Sequence, residues 1–234
     1  MARLFSGFVP AVAAFATFAA FATVAASQSD IDPGIIDAQT GTWLVAPIDG
    51  ETGCRLTFTK DRTIGGYAVT GAENCTVPLP ALAETYAWTF TGGGLVLIDA
   101  TRKVVARFEE SEGSPWKTVE GRLLALVKPP GRIDHLPTQA ALAGNWILRR
   151  PSGEVLCRIR LDANPDQNEN GTMSPAGDCT TAVTKLKLEY WQVDTFDLTL
   201  MSGDGAALRL TMRADGSFEK IREEGGKPLL MVRP

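Results

Sequence analysis

The chain has 234 residues, and 23 Lys and Arg against 27 Asp and Glu give it a formal net charge of −4. That length allows one large domain or two small ones, and the acidic balance excludes the basic surface that nucleic-acid binding requires. Aromatic and β-branched residues interspersed with Gly and Pro point to a β-rich folded protein rather than a disordered one.

In chain order, the first predicted element is a signal peptide over residues 1–26. Arg3 supplies a short positive start, and "LFSGFVPAVAAFATFAAFATVAA" then runs without a charge. It ends in Val24-Ala25-Ala26, which satisfies the small-residue rule for cleavage before Ser27. A stretch of this length can also span a bilayer if it is left uncleaved. The Ala-rich composition and the absence of a basic stop-transfer flank favour cleavage, which takes the net charge from −4 to −5 by removing Arg3. No cysteine lies near Ala26, so lipid attachment at the new N-terminus is not available. All four cysteines follow this segment, which fits an oxidising compartment, periplasmic or secreted, and disulfide formation.

The first folded unit, residues 40–128, carries "CRLTFTK", where Cys54, Leu56 and Phe58 share one face of a strand. Residues 129–140 form a linker, because Pro129, Pro130, Gly131 and Pro137 interrupt any regular element. The second unit, residues 141–234, has strands of the same kind. Cys157, Ile159 and Leu161 alternate with Arg158 and Arg160, and Leu208, Leu210 and Met212 alternate with Arg209, Thr211 and Arg213. Turn sequences such as "NENG", "SGDG" and "RADG" separate them. One apolar and one polar face is the pattern of an antiparallel sheet with a single buried side. Short strands at close spacing in about ninety residues suit a small closed barrel of roughly eight strands, which leaves no free edge.

The two units are a repeat. Trp43 and Trp146, Cys54 and Cys157, and Trp88 and Trp191 are each 103 residues apart. Cys75 and Cys179, and Gly121 and Gly225, are 104 apart. Ordered matches of rare residues at a nearly constant offset mean two tandem copies of one architecture. Four cysteines permit three connectivities, and the repeat selects one disulfide per unit, Cys54 with Cys75 and Cys157 with Cys179. Closing a loop of about twenty residues stabilises a small domain by roughly 3 kcal/mol.

Several chemistries lack their residues. The single histidine, His135, lies in the linker, which leaves no Ser-His-Asp or Cys-His site and no zinc site with two histidines. No nucleophile-elbow or phosphate-loop motif occurs, and no pair of carboxylates stands out by spacing. "DQNENG" places Asp166, Asn168, Asn170 and Gly171 as in the first half of a calcium loop, but its twelfth position is Gly177 where a bidentate glutamate is needed. It reads as a polar turn. Asn74 and Asn170 head Asn-x-Ser/Thr sequons, which matter only in a glycosylating source. Trp43, Trp88, Trp146 and Trp191 read as core residues rather than a ligand-stacking set. No metal or cofactor of its own is expected, and no enzymatic activity.

Taken together, the Leu-x-Gly-x-Trp run "LAGNW", a cysteine eleven residues after the Trp, a second cysteine, a second Trp, alternating Leu strands and the closing "PLLMVR" resemble the alkaline metalloprotease inhibitor family of bacteria, which includes a related outer-membrane lipoprotein. Each repeat covers about one family domain. "LPTQAALAGNW", residues 136–146, is close to the family's lead-in, and "IIDAQTGTW" is more divergent. The resemblance implies all-β units, each an eight-stranded antiparallel barrel with one disulfide. It also implies an exported monomeric inhibitor whose partner is a secreted, zinc-dependent peptidase. In the family an N-terminal arm enters the protease cleft, its free α-amine approaching the metal while barrel loops meet the enzyme rim. Carried onto this chain, the arm is residues 27–39, with Ser27, Gln28, Ser29, Asp30 and Ile31 as its contacting tip. Asp30 and Asp32 depart from the family by placing negative charge near a cleft that often holds a catalytic glutamate. The family's Leu-Pro is missing from this arm but present before the second unit as Leu136-Pro137.

Two other roles for such barrels are a small-ligand binding module and an envelope structural protein held in the membrane by residues 1–26. The large inward residues Phe58, Leu97, Leu161, Leu200 and Leu210 leave little room for a ligand.

Overall fold

The computed structural model describes residues 31–110, 115–166 and 169–234. Within them the chain forms two closed antiparallel barrels of eight strands each, as the repeat and the strand patterns predict. The first contains β1 (Gly41–Pro47), β2 (Cys54–Thr63), β3 (Gly66–Thr70), β4 (Ala87–Thr91), β5 (Gly94–Ile98), β6 (Val104–Glu109), β7 (Trp116–Thr118) and β8 (Leu124–Val127). The second contains β9 (Gly144–Arg149), β10 (Val155–Asp162), β11 (Gly171–Pro175), β12 (Leu188–Asp194), β13 (Asp197–Ser202), β14 (Ala207–Met212), β15 (Phe218–Lys220) and β16 (Leu230–Val232). Both are simple meanders. Pairing of β1 with β8 and of β9 with β16 closes them and removes the edges. A short helix leads into each barrel: α1 (Pro33–Gln39) before the first and α2 (Gln139–Leu142) before the second. The linker expected at 129–140 therefore ends in a helical turn, started by the Thr138 hydroxyl, which accepts a hydrogen bond from the Ala141 amide at 3.2 Å.

Period-two alternation places the cores. In β10 Leu156, Cys157, Ile159 and Leu161 are buried while Arg158 and Arg160 are exposed, and in β14 Leu208, Leu210 and Met212 are buried. The first interior is filled by Leu56, Phe58, Trp88, Leu95, Leu97, Phe108 and Leu126, all nearly without solvent exposure. One disulfide staples each barrel, Cys54–Cys75 across 21 residues and Cys157–Cys179 across 22.

The expectation of one polar face holds for the second barrel but fails on parts of the first. Every residue of β5 and β8 is buried, as is β1 from Trp43 onward. Trp43, Val45 and Leu126 point inward, so the alternate residues Leu44, Ala46, Ala125 and Val127 point outward. These four belong to one apolar cluster with Leu136 of the linker and with Leu142, Trp146 and Phe196 of the second barrel. The barrels are thus joined through a shared apolar seam. The same outward positions of the second barrel, Ile147, Arg149, Leu230 and Val232, are only half-buried.

Candidate functional site

Because strands alternate in direction, each barrel has a leading end, where its first strand begins, and a trailing end. The leading end of the first barrel carries α1 and the β2–β3 and β4–β5 turns. α1 starts at Pro33, whose fixed φ suits a first helical position. The Asp32 carboxylate caps it by accepting the Gly34 amide at 2.7 Å. Asp32, an awkward charge for a protease cleft when read from the sequence, is thus engaged locally. The seven residues of the expected arm nearest the barrel are helical, with Ile36 buried and Ile35 exposed. Of the tip, Ser27, Gln28, Ser29 and Asp30 lie outside the described residues, and Ile31 precedes the helix cap.

Trp43 ties α1 to the barrel. Its indole N–H donates to the Gln39 carbonyl at 2.6 Å, and Lys128 stands over the ring at 5.1 Å while its ammonium donates to the Ala38 carbonyl at 2.7 Å. The second barrel repeats the device. The Trp146 N–H donates to Leu142 at 2.8 Å, and Arg233 stacks on the ring at 4.1 Å while donating to the Ala141 and Ala143 carbonyls at 2.8 and 3.0 Å. In both copies a cation just after the last strand clamps the helix over the tryptophan.

Trp88 and Trp191 lie deeper, each fully buried with its N–H on the carbonyl of the residue 29 positions earlier, Thr59 or Asp162, both at 3.1 Å. Phe58 stacks on Trp88 at 5.4 Å and on Trp43 at 5.8 Å. These four of the five tryptophans have their polar atom satisfied by backbone and their rings in the core, which leaves no open face among them on which a ligand could stack. A groove of about 570 Å³ lies outside the first barrel, lined in part by Pro80, Leu82, Val104, Ala106 and Val119.

The β2–β3 and β4–β5 turns of the first barrel are open to solvent. Ile64, at the tip of the β2–β3 hairpin, is 57% exposed, with the next residue, Gly65, against Ile98 and Arg102, and Gly92 and Gly93 of the β4–β5 turn are exposed. Lys60 on this hairpin pairs with Asp37 of α1 at 2.6 Å, an exposed contact that orients rather than stabilises.

The remaining candidates have local roles. His135 is exposed with Nδ1 2.9 Å from Asp134, whose carboxyl is held below its usual range chiefly by that contact. Around the "DQNENG" turn, the Gln139 side-chain amide donates to the Glu169 carbonyl at 2.6 Å, its oxygen accepts the Asn164 amide at 3.1 Å, and Asn164 donates to the Asn170 carbonyl at 3.3 Å. Asn168 lies outside the described residues. Among the described residues no cluster of His, Cys, Asp or Glu is arranged to hold a metal ion. The sequence reading missed the Lys128 and Arg233 clamps, although both close their units at nearly the repeat offset.

The family model "Protease inhibitor Inh" matches residues 36–128 and again residues 136–233. The chain belongs to the protease inhibitor Inh family. Each Inh match begins within or just before a leading helix, and each ends at the clamping cation, Lys128 or Arg233. The chain is thus a tandem Inh protein, and membership of Inh gives it a protease as partner. No curated protein matches the chain significantly.

Proposed function

We propose that this protein is an exported inhibitor of secreted zinc endopeptidases, acting through the segment before its first barrel. The observation that carries the reading is the anchoring of α1, the helix that follows that segment in sequence: Trp43 and Lys128 fix it to the first barrel, whose β2–β3 and β4–β5 turns are exposed. If a signal segment is cleaved after Ala26, six residues from Ser27 to Asp32 precede the helix, a reach of about 20 Å when extended. Ser27, Gln28, Ser29, Asp30 and Ile31 then enter the cleft. The new α-amine takes the coordination position that a catalytic zinc keeps open for water. The hairpin tip at Ile64 and the turn at Gly92–Gly93 meet the enzyme rim. Anchoring the base of the segment on a rigid barrel lowers the ordering cost of binding. Two disulfides suit an extracellular or periplasmic setting.

The test is a titration of the mature chain, starting at Ser27, against a secreted bacterial zinc endopeptidase and a serine protease. Stoichiometric loss of the zinc enzyme's activity is expected, with the serine protease untouched. A mass beginning at Met1 in protein isolated from cells would refute cleavage, and full activity of both enzymes would refute the inhibitor reading.

A further inference from the structure

The two copies treat their leading ends differently. In the first, the hairpin tip at Ile64 and the turn at Gly92–Gly93 are exposed. In the second, the same end is turned onto the first barrel. The segment before α2 packs on the first barrel, where Leu136 is 3% exposed in one apolar cluster with the outward residues Leu44, Ala46, Ala125 and Val127 of β1 and β8. Its backbone is fastened as well. The Gly53 amide donates to the Asp134 carbonyl at 2.7 Å, and the Arg55 guanidinium donates to the Ile133 carbonyl at 2.6 Å.

The turns of that end are occupied too. Asp194, in the β12–β13 turn, faces Lys117 of the first barrel at 3.8 Å, and Val193 and Thr195 line a cavity with Ile48 and Asp49. Gly131 sits so close to Ala214 in the β14–β15 turn that an added Cβ would lie 2.5 Å from it. A Cβ on Gly50, at the trailing end of the first barrel, would lie 2.6 Å from Thr138. The β10–β11 turn is tied to α2 through Gln139.

We propose that the second barrel's leading end is committed to an intramolecular joint, so that the chain engages one protease per molecule and only through the first barrel. This rests on the inhibitor reading for its partner, but the joint itself rests on contacts independent of it. To use Leu136-Pro137 and its neighbours as an arm, the chain would have to expose the outward apolar face of β1 and β8 and leave the Gly53 amide and Arg55 without their carbonyls. In the continuous chain this segment also has no free amine. Matching differences in sequence build the joint: the receiving positions Leu44, Ala46, Ala125 and Val127 correspond by register to Ile147, Arg149, Leu230 and Val232, where an arginine replaces alanine.

The experiment uses the whole mature chain and a second form lacking Ser27–Ile31, which retains the Asp32 cap. Each is titrated into a secreted bacterial zinc endopeptidase, with native mass spectrometry of the complexes. The expected result is one enzyme per intact chain and complete loss of inhibition on deletion. Two enzymes per chain overturns the proposal while leaving the inhibitor reading in place; inhibition surviving the deletion overturns the proposal together with the arm mechanism, and leaves only the protease as target. Hydrogen exchange at the Gly53 amide follows the joint directly. Protection in the free chain that persists under excess enzyme is expected, and Leu136→Asp should speed exchange there at least tenfold while Leu56 in the adjoining β2 stays protected. If neither form inhibits, the inhibitor reading falls, and Gly53 decides the joint alone: protection sustains it, and exchange at the rate of an open amide overturns it.

Discussion

At the residue scale, the two disulfides close loops of nearly equal length but sit in different surroundings. Cys75 is fully buried, whereas Cys179 is only partly so. Thiol–disulfide exchange needs a thiolate to reach a sulfur, so Cys157–Cys179 is expected to open first under a mild reductant. Alkylation of the native protein followed by mass spectrometry should label Cys157 and Cys179 well before Cys54 and Cys75; equal rates would contradict this. A second case is Asp215, in the β14–β15 turn. It accepts hydrogen bonds from the Ser217 hydroxyl and amide, which hold its carboxyl below the usual carboxylate range. A depressed folded value means that the stabilisation is present above the unfolded value of about 3.9 and is lost as pH falls through the folded one. Asp215→Asn should therefore lower stability at neutral pH and converge with the parent protein at acid pH. A difference independent of pH in urea unfolding would show that the charge is not responsible.

At the element scale, both barrels depend on a glycine at the start of their third strand. A Cβ at Gly171 would collide with the Trp191 indole and the Asp162 carbonyl, and one at Gly66 with the Trp88 carbonyl. Gly171→Ala forces apart the residues that satisfy the Trp191 N–H and is expected to cost about 1–3 kcal/mol by overpacking, read from the urea midpoint. Much of this level is legible in the sequence. The alternation in "CRIRLD" and "LRLTMR" marks the inward residues that the barrels bury, and the repeat of Trp and Cys fixes two copies. The local helices are less legible. α1 and α2 are 7 and 4 residues long, too short to show a periodic apolar face, and they exist because a capping side chain and a tryptophan fix them on a barrel end.

At the scale of the whole molecule, the barrels are coupled through Leu136. Leu136→Ala should destabilise the chain by about 2–5 kcal/mol and split one cooperative thermal transition into two, because the shared apolar cluster would no longer link the barrels. Calorimetry distinguishes these outcomes, and a parent protein already melting in two separate steps would refute the coupling.

The number of copies, the all-β class, the staple in each copy and the protease-inhibitor resemblance are all written in the chain, because rare residues at a constant offset and strict alternation survive without knowledge of the neighbours. The joint is not. A run such as "TWLVAP" announces that both faces are apolar, yet gives no indication of what covers the outer one, since that depends on where a linker much later in the chain is laid down. Likewise Leu136-Pro137 carries the family's Leu-Pro in a stretch that reads from its local pattern as a linker. Only the packed structure, in which Asp134, Ile133 and Leu136 find partners on the first barrel, turns that segment into a seam and leaves a single leading end free. Local pattern specifies each barrel, and contacts between residues distant in the chain decide how the two are used.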